Sequence, residues 1–403
     1  MTGIKKKSGL AMTFRYPLAT PSWGPEEYDA IDKVIKSGMF SMGPSVQEFE
    51  RNFSSYIGSK FCVMVNSGSS AILLMIASLF YTKNLNIKLK AGDEVIVPAV
   101  SWSTTYFPLC QYGLKIKFVD IDLHTLNYDL KQLELAVSSS TRAIIAVNLL
   151  GNPNDFNFIH QIIAGRNIIL LEDNCESMGA VYGKKYAGTF GLMGGFSTFF
   201  SHHISTMEGG LVVTDDEEIY QILLCLRAHG WTRNLPQNNL ICGIKSNDSF
   251  DESFRFVLPG YNLRPLEFSG AIGIEQLKKL PKFIEERRRN ADAFKTAFKD
   301  SKSVIIQEEI GESSWFGFSM VLAKNSKISR KELIEHLNGL GFETRPIVAG
   351  NFASKEVIKY FNFEIHGHLK NADFIDSNGL FIGNHHYEIK NLQSSLEAIN
   401  SLC

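Results

Sequence analysis

Closely spaced cysteines are missing from this sequence. Its six cysteines are scattered along the chain, and no two of them form a Cys-x-Cys or Cys-x-x-Cys pair. They are Cys62, Cys110, Cys175, Cys225, Cys242 and Cys403. Local zinc and iron–sulfur frameworks need thiolates at short spacing, so the sequence predicts no metal site of either kind. We expect reduced thiols with mostly structural roles.

The chain also has no long hydrophobic run and almost no net charge. No apolar stretch approaches the ~18 residues that span a bilayer, and the lysines at positions 5–7 have no apolar core behind them. The formal net charge is -1, so no broad basic field attracts nucleic acid or an anionic membrane. The sequence therefore predicts a cytoplasmic protein that binds neither and that holds any polyanionic ligand with local groups.

The apolar content is sufficient for a large folded core. With 403 residues, 44% of them hydrophobic, the chain should form one large and one smaller domain. Short apolar runs alternate with amphipathic stretches from about residue 25 to 220, which predicts an α/β fold with a mostly parallel sheet buried on both faces. We predict a disordered extension at residues 1–14, a large domain at 15–275 and a smaller C-terminal α+β domain at 276–403.

The predicted elements follow from this pattern. The strands are expected at 61–65, 94–98, 116–120, 143–149, 168–171, 196–200 and, in the smaller domain, around 314–322. The helices are expected at 26–36, 330–337 and from about 389, with a long charged helix at 267–299 that is broken near Pro281 and connects the two domains.

Several predicted strands end in residues that could bind a ligand. Asn66-Ser67-Gly68-Ser69-Ser70-Ala71 begins an apolar helix, so its backbone amides, uncovered at Gly68, could hold a phosphate or simply cap the helix. Trp102 lies at the edge where ligands of open parallel sheets collect, and is either a stacking surface or a partly buried core residue. Asp173 needs a cationic partner there unless it caps the next helix.

The segment Ser201-His202-His203-Ile204-Ser205-Thr206-Met207-Glu208-Gly209-Gly210 contains two histidines and no lysine. Alone, such a pair is typical of a polar loop or a buried core. In their order from residue 16 to about 390, however, the motifs resemble those of the DegT/DnrJ group of sugar aminotransferases. In that group a lysine six residues before the Glu-Gly-Gly binds pyridoxal phosphate covalently. Counted back from Glu208, this position is His202.

This resemblance implies the fold, the cofactor and the site. The fold would be that of the PLP-dependent aspartate aminotransferases (fold type I), with pyridoxal 5'-phosphate or pyridoxamine 5'-phosphate in the large domain and no metal. The residues implied at the cofactor are Gly68, Ser69 and Ser197 at the phosphate, Trp102 against the ring, Asp173 at the pyridine nitrogen, Glu176 near the ring hydroxyl, and Asn262 at the phosphate of the other subunit. Arg264, His229 and Arg345 are expected to bind substrate, with a structural ion pair as the alternative for Arg264.

The missing lysine also suggests the reaction. Imidazole can move protons but cannot hold the cofactor covalently, which favours elimination from a sugar over amine transfer. The companion segments 148–153, 227–231 and 311–316 resemble the branch of the group that removes the 3-hydroxyl of GDP-4-keto-6-deoxy-D-mannose in the colitose pathway. That branch implies L-glutamate as amine donor, release of 2-oxoglutarate and ammonia, a homodimer with shared active sites, and His202 as the base.

Three alternatives remain open from the sequence. His203 is the rival for the role of base, although the register favours His202. An ordinary aminotransferase could use a lysine elsewhere, and the nearest, Lys184 and Lys185, lie in an apparent turn before the motif. A catalytically silent relative is the third, although the retained Asp173 and the phosphate-binding residues speak against it.

Overall fold

The computed structural model describes residues 14–403, so the predicted extension lies outside the described residues except for Phe14. The helices are α1 (Pro25–Ser37), α2 (Pro44–Ile57), α3 (Gly68–Tyr81), α4 (Ser103–Gln111), α5 (Leu130–Ala136), α6 (Phe156–Ile163), α7 (Glu217–Arg227), α8 (Ser249–Glu252), α9 (Glu267–Ala297), α10 (Arg330–Gly339), α11 (Lys370–Asn378) and α12 (Leu392–Leu402). Short 3-10 helices occur at Leu149–Gly151, Phe352–Ser354 and Glu356–Tyr360.

The strands are β1 (Phe61–Val65), β2 (Glu94–Pro98), β3 (Lys115–Val119), β4 (Thr141–Val147), β5 (Ile169–Asp173), β6 (Val181–Tyr182), β7 (Lys185–Tyr186), β8 (Met193–Ser197), β9 (Gly210–Thr214), β10 (Asn238–Asn239), β11 (Gly243–Ile244), β12 (Val304–Ile306), β13 (Gly317–Leu322), β14 (Thr344–Arg345), β15 (Phe363–Ile365) and β16 (Gly379–Gly383).

The larger sheet has eight strands in the order β1-β9-β8-β5-β4-β2-β3-β15. Strand β9 is antiparallel to both of its neighbours, and every other pair in this sheet is parallel. Strands β2, β5, β8 and β9 are buried along their whole length, because helices cover both faces of the sheet. This arrangement confirms the predicted α/β class with a mostly parallel mixed sheet.

The predicted elements agree with the structure where hydrophobic patterning is strong. The predicted strands at 61–65 and 94–98 coincide with β1 and β2. The predicted break near Pro281 is wrong, because α9 continues through this residue. A proline removes one helical hydrogen bond, and here the buried side chains of Leu280 and Phe283 pack on either side of Pro281 in the same apolar cluster as α2.

A second sheet contains the antiparallel strands β12-β13-β16-β14 and packs against the end of α9. The rings of Phe294 and Phe318 stack there at a centroid distance of 4.5 Å. The chain then returns to the larger sheet, where β15 pairs with β3 and Glu364 contacts Lys117 at 3.0 Å. The domain division at residue 275 stays a prediction, and we propose that the segment around β15 belongs to the large domain.

One buried ion pair connects three elements of the larger domain. Arg227, at the end of α7, is 3% exposed. Its Nη1 donates to Glu50 Oε1 of α2 at 2.5 Å and to the carbonyl oxygen of Met64 in β1 at 2.7 Å. The Met64 amide also donates to Glu50 at 2.7 Å, so the carboxylate and the guanidinium both bind the backbone of Met64. This cluster therefore fixes the start of the segment that follows α7.

We predict that Arg227→Met lowers the unfolding temperature markedly. Removing one partner of a buried pair leaves the other charge uncompensated, which costs about 3–5 kcal/mol. Thermal unfolding followed by circular dichroism measures the change. The control is Lys36→Met, since Lys36 pairs with Asp32 at 2.9 Å on the exposed face of α1, where ion pairs contribute little. Equal unfolding temperatures for the two variants would contradict the prediction.

Candidate active site

A cavity of about 740 Å³ opens at the carboxyl ends of the central strands of the larger sheet. Ligands of open α/β sheets collect at this edge. Eight of the predicted site residues lie on its wall: Gly68, Ser69, Trp102, Asp173, Glu176, Ser197, His202 and Arg345. Residues that are distant in sequence are thus brought together by the parallel order of β2, β5 and β8.

The start of α3 forms a cradle for an anion. Ser67 caps the helix by accepting a hydrogen bond from the Ser70 amide at 3.1 Å. A Cβ atom on Gly68 would lie 2.6 Å from Ser197 Cβ, so only glycine allows the helix start to approach Ser197. Ser69 donates to Thr104 Oγ1 at 2.9 Å. Free amides at a helix start together with these hydroxyls fit a phosphate group.

Asp173 is the last residue of β5 and is 6% exposed. Its Oδ2 accepts from the Thr105 hydroxyl at 2.7 Å and its Oδ1 accepts from the Cys175 amide at 3.1 Å. Within the described part of the chain, Asp173 forms no ion pair with a cationic side chain. The carboxylate is therefore held in a fixed orientation with its charge available to a cationic group in the cavity.

Trp102 presents its ring to the cavity and is 58% exposed. It immediately precedes α4. An aromatic face that is open to a cavity suits stacking on a flat ring, so the structure does not favour the alternative of a buried core tryptophan.

Glu176 is a half-buried carboxyl group on the cavity wall. Burial raises the pKa of Glu176 to about 7, and the nearby charge of Asp173 acts in the same direction. Its Oε2 accepts from the Leu150 amide at 3.1 Å. Glu176 can therefore carry a proton near neutral pH and donate a hydrogen bond to a ligand.

The two adjacent histidines have different surroundings. His202 lies on the cavity wall, with its ring against Phe316 at a centroid distance of 5.1 Å and an angle of 77°. His203 is 1% exposed, does not line the cavity, and pairs through Nε2 with the carbonyl oxygen of Ser314 at 3.2 Å. These positions support His202 rather than His203 as the group that meets a ligand.

His202 is uncharged at neutral pH. Burial lowers the pKa of its imidazole from the usual range to about 4, and the positive charge of Arg287 contributes in the same direction. Its Nδ1 has no hydrogen-bond partner. An unperturbed imidazole titrates near ~6.5, and the removal of His202 from water by its neighbours is the main cause of the difference.

Among the described residues 14–403, no lysine lies on the wall of the cavity. Lys185, on the hairpin of β6 and β7, donates instead to the carbonyl oxygen of Thr189 at 3.1 Å, and its Nζ lies 5.1 Å from the centroid of the Phe190 ring. Lys184 occupies the turn of the same hairpin. The sequence alternative of a Schiff-base lysine at these positions is therefore not supported.

The other three predicted site residues, Asn262, Arg264 and His229, do not line this cavity. They cluster on another surface, where Arg264 Nε donates to Asn262 Oδ1 at 3.0 Å. The Arg264 guanidinium lies 5.6 Å from the centroid of the Trp231 ring, and the His229 ring lies 4.6 Å from it. Their functional roles stay predictions.

Other wall residues were missed by sequence reasoning. They include Asn148, Phe199, Glu208, Phe316 and Glu343. The segments containing Asn148 and Phe316 had been singled out only as motifs. Nothing in their sequence shows that the loop before β13 packs on the His202 loop, because that contact joins residues more than 100 positions apart.

Residues 14–403 provide neither a metal-binding cluster nor a membrane-spanning helix. No group of three or more His, Cys, Asp or Glu side chains in this range could hold a metal ion. None of the helices in the same range is both long and apolar enough to cross a membrane.

A curated relative is similar over nearly the whole chain. GDP-4-keto-6-deoxy-D-mannose 3-dehydratase of Escherichia coli O55:H7 is 62% identical over 375 residues, which cover 93% of this chain and 96% of that protein.

Solved structures agree with this similarity. E. coli GDP-4-keto-6-deoxy-D-mannose-3-dehydratase with bound hydrated PLP is 60% identical, with a TM-score of 0.93 over 97% of this chain and 99% of that one. A second structure of such a dehydratase, with a trapped PLP-glutamate geminal diamine, is also 60% identical, with a TM-score of 0.93 over 96% and 99% of the two chains. They confirm the predicted PLP-dependent aspartate aminotransferase fold.

The sequence model of the DegT/DnrJ/EryC1/StrS aminotransferase family matches residues 21–389. This range contains all predicted site residues, and the resemblance inferred from the motifs is confirmed. The chain belongs to the DegT/DnrJ/EryC1/StrS aminotransferase family.

Proposed function

We propose that this protein removes the C3 hydroxyl of GDP-4-keto-6-deoxy-D-mannose to give GDP-4-keto-3,6-dideoxy-D-mannose. L-Glutamate supplies the amine of the cofactor, and 2-oxoglutarate and ammonia are released. The observation that carries the proposal is His202 on the wall of a cavity to which residues 14–403 contribute no lysine. The relatives that bear the dehydratase name, at 60–62% identity, support the substrate. We also propose a cytoplasmic location.

The residues of the cavity fit a pyridoxal or pyridoxamine phosphate. The amides at the start of α3, with Ser69 and Ser197, would hold the phosphate. When bound, the cofactor supplies an amine that condenses with the sugar's C4 ketone and a ring that accepts electrons. Asp173 would hold the ring nitrogen in its protonated form, which strengthens this electron acceptance. Trp102 would cover one face of the ring, and Glu176 would meet its hydroxyl group.

His202 is the proposed base. Its neutral imidazole can accept the proton from the C4' carbon beside the cofactor ring and deliver it to the departing oxygen at C3. The Phe316 ring restricts the imidazole to one orientation and excludes water from one side of it. A lysine at this position would bind the cofactor covalently and favour amine transfer, whereas histidine cannot.

Arg345 is the proposed contact for an anionic part of a substrate. It lies on the cavity wall, where its Nη2 contacts Glu343 Oε1 at 3.0 Å and its side chain is 60% exposed. An exposed guanidinium can bind a carboxylate or a phosphate with two parallel hydrogen bonds. Either the carboxylate of glutamate or the diphosphate of the sugar nucleotide would satisfy it.

The surface that carries Asn262 is the proposed dimer contact. Large aromatic side chains are exposed beside it, since Phe254 is 65% and Phe256 55% exposed. Exposed aromatic side chains with neighbouring arginines are typical of protein interfaces. We propose that Asn262, Arg264 and His229 complete the site of the partner subunit in a homodimer.

Substitution of His202 tests the role of base. His202→Asn should still bind pyridoxamine phosphate but lose dehydration by ~100- to 10,000-fold or more, because general bases contribute about this much. His202→Lys should form a borohydride-reducible bond to the cofactor and lose dehydration. The assays are release of the 3-deoxy sugar and the absorbance of the loaded protein.

The matched control for this test is His203→Asn. Because His203 faces away from the cavity, its effect on dehydration should be milder. A dehydration rate near wild type in His202→Asn, together with loss in His203→Asn, would assign the base to His203.

The source of electrons and amine can be tested separately. We predict that turnover requires L-glutamate and pyridoxal phosphate, and that an iron chelator or omission of a reductase has no effect. The wide spacing of the cysteines is the physical reason. Product formation is measured by liquid chromatography with each component omitted. Activity only after iron–sulfur reconstitution with an electron donor would disprove the assignment.

Subunit mixing tests the shared site. Asn262→Ala and His202→Asn proteins should each have low activity, but their mixture should recover a fraction of it, because one hybrid site combines both intact halves. Subunit exchange is first verified with differently tagged proteins. If exchange occurs and activity does not return, Asn262 does not act across the interface.

A further inference from the structure

Arg287 is a buried cation without an acidic partner. It lies on α9 and is 4% exposed. None of the ion pairs in the described part of the chain includes Arg287, and its Nε has no hydrogen-bond partner. Burying an arginine away from any carboxylate is unfavourable. The presence of an unpaired arginine at this buried position is therefore not explained by the stability of the folded protein.

The guanidinium of Arg287 holds the loop that carries Phe316. Its Nη1 donates to the carbonyl oxygens of Phe316 at 3.1 Å and of Asn384 at 2.9 Å, with a longer contact to Trp315 at 3.5 Å. The Phe316 ring in turn packs on His202. A chain of direct contacts thus runs from α9 through one peptide group and one aromatic ring to the proposed base.

The charge of Arg287 also acts on a group of histidines. Burial first, and this charge second, lower the pKa of His203 well below its usual range and lower those of His385 and His386 to about 3 and about 4. The same two causes act on His202. Burial alone lowers the pKa of Arg287 to about 10, so it remains the charged member of the group at neutral pH.

We propose that Arg287 is a positioning residue for the dehydration: it holds the loop that carries Phe316, and through the Phe316 ring it fixes the orientation of His202. The inference rests on the proposed function. A base that kept its proton would leave the departing oxygen at C3 unprotonated. Burial and, to a smaller extent, the charge of Arg287 disfavour the imidazolium form of His202, so the proton that His202 takes from C4' passes on to the C3 oxygen, which leaves as water.

The test uses three variants of the full-length protein. Arg287→Met removes the charge, Arg287→Lys keeps the charge but loses the planar fork, and Arg288→Met is the matched control. Arg288 neighbours Arg287 on α9 and donates from Nε to the carbonyl oxygen of Ser313 at 3.0 Å, but it is paired with Glu312 at 3.0 Å. It therefore holds the same loop without an unpaired charge.

Two measurements distinguish a role of Arg287 in positioning His202 from a role only in the stability of the fold. The first is the pKa of His202 in cofactor-free protein, measured by NMR of ¹³C-labelled histidine and identified by the signal that His202→Asn loses. The second is the single-turnover dehydration rate against pH in protein preloaded with pyridoxamine phosphate. The other titratable groups on the wall, Asp173, Cys175, Glu176, Glu208, Glu343 and Arg345, and His203 behind it, are the same in all variants.

Arg287→Met should raise the pKa of His202 by roughly one unit, since removal of a nearby cation favours the protonated form. The base must be neutral, so the acid limb of the pH–rate profile should move to higher pH by the same amount. Arg287→Lys should leave the limb in place but lower the single-turnover rate about 10- to 100-fold, as misplaced catalytic groups do. In both, KM for the sugar nucleotide should change less than about 3-fold, and Arg288→Met should change none of these.

An unchanged His202 pKa and acid limb in Arg287→Met would overturn the electrostatic part of the inference, and a wild-type rate in Arg287→Lys would overturn the positioning part. If Arg287→Met does not fold, Arg287→Lys decides, because equal losses in it and in Arg288→Met would reduce Arg287 to a structural role. If the wild-type protein does not dehydrate the sugar nucleotide, the proposed function is wrong. The NMR titration then still tests the effect of Arg287 on His202.

Discussion

The packing of the His202 ring between the cavity and the Phe316 ring is the interaction on which the site depends. It keeps the imidazole neutral by burying it, and it directs the adjacent His203 to the opposite side, where that ring contacts the backbone of Ser314. A lysine ammonium could not be buried against this aromatic wall without a large desolvation cost. The histidine, and not the wall, decides the chemistry, because an imidazole can transfer protons but cannot form a Schiff base with a cofactor.

Asp173 and Arg287 are buried charges that form no ion pair with any residue in the described part of the chain. Asp173 is held by hydroxyl and amide donors, and Arg287 is held by carbonyl acceptors. A buried charge that is hydrogen-bonded but unpaired remains available to act on what enters its surroundings. In the proposed reaction Asp173 favours the cationic form of the cofactor ring, and Arg287 disfavours a cationic form of His202. Asp173 thus favours the movement of electrons into the cofactor ring, and Arg287 favours the release of the proton from His202.

The sequence was sufficient for the parts of this account that depend on local pattern. Short apolar runs located β1 and β2, and the position of His202 relative to Glu208 identified the proposed base before any coordinates. Contacts between distant segments could not be predicted. The approach of Gly68 to Ser197, the hydroxyl of Thr105 on Asp173 and the link from Arg287 to Phe316 all join elements that meet only through the order of the sheet. The helix break predicted near Pro281 was wrong for the same reason, because tertiary packing of the side chains of α9 outweighs the one hydrogen bond that the proline removes.

The central claim is that this site works without a covalent bond between protein and cofactor. Wild-type protein can be loaded with pyridoxal phosphate, treated with borohydride, digested, and analysed by mass spectrometry for peptides that carry the reduced cofactor. The account predicts unmodified lysines throughout, while the native protein before treatment contains about one cofactor per subunit. A stoichiometric modification of any lysine, Lys184 and Lys185 included, would contradict it.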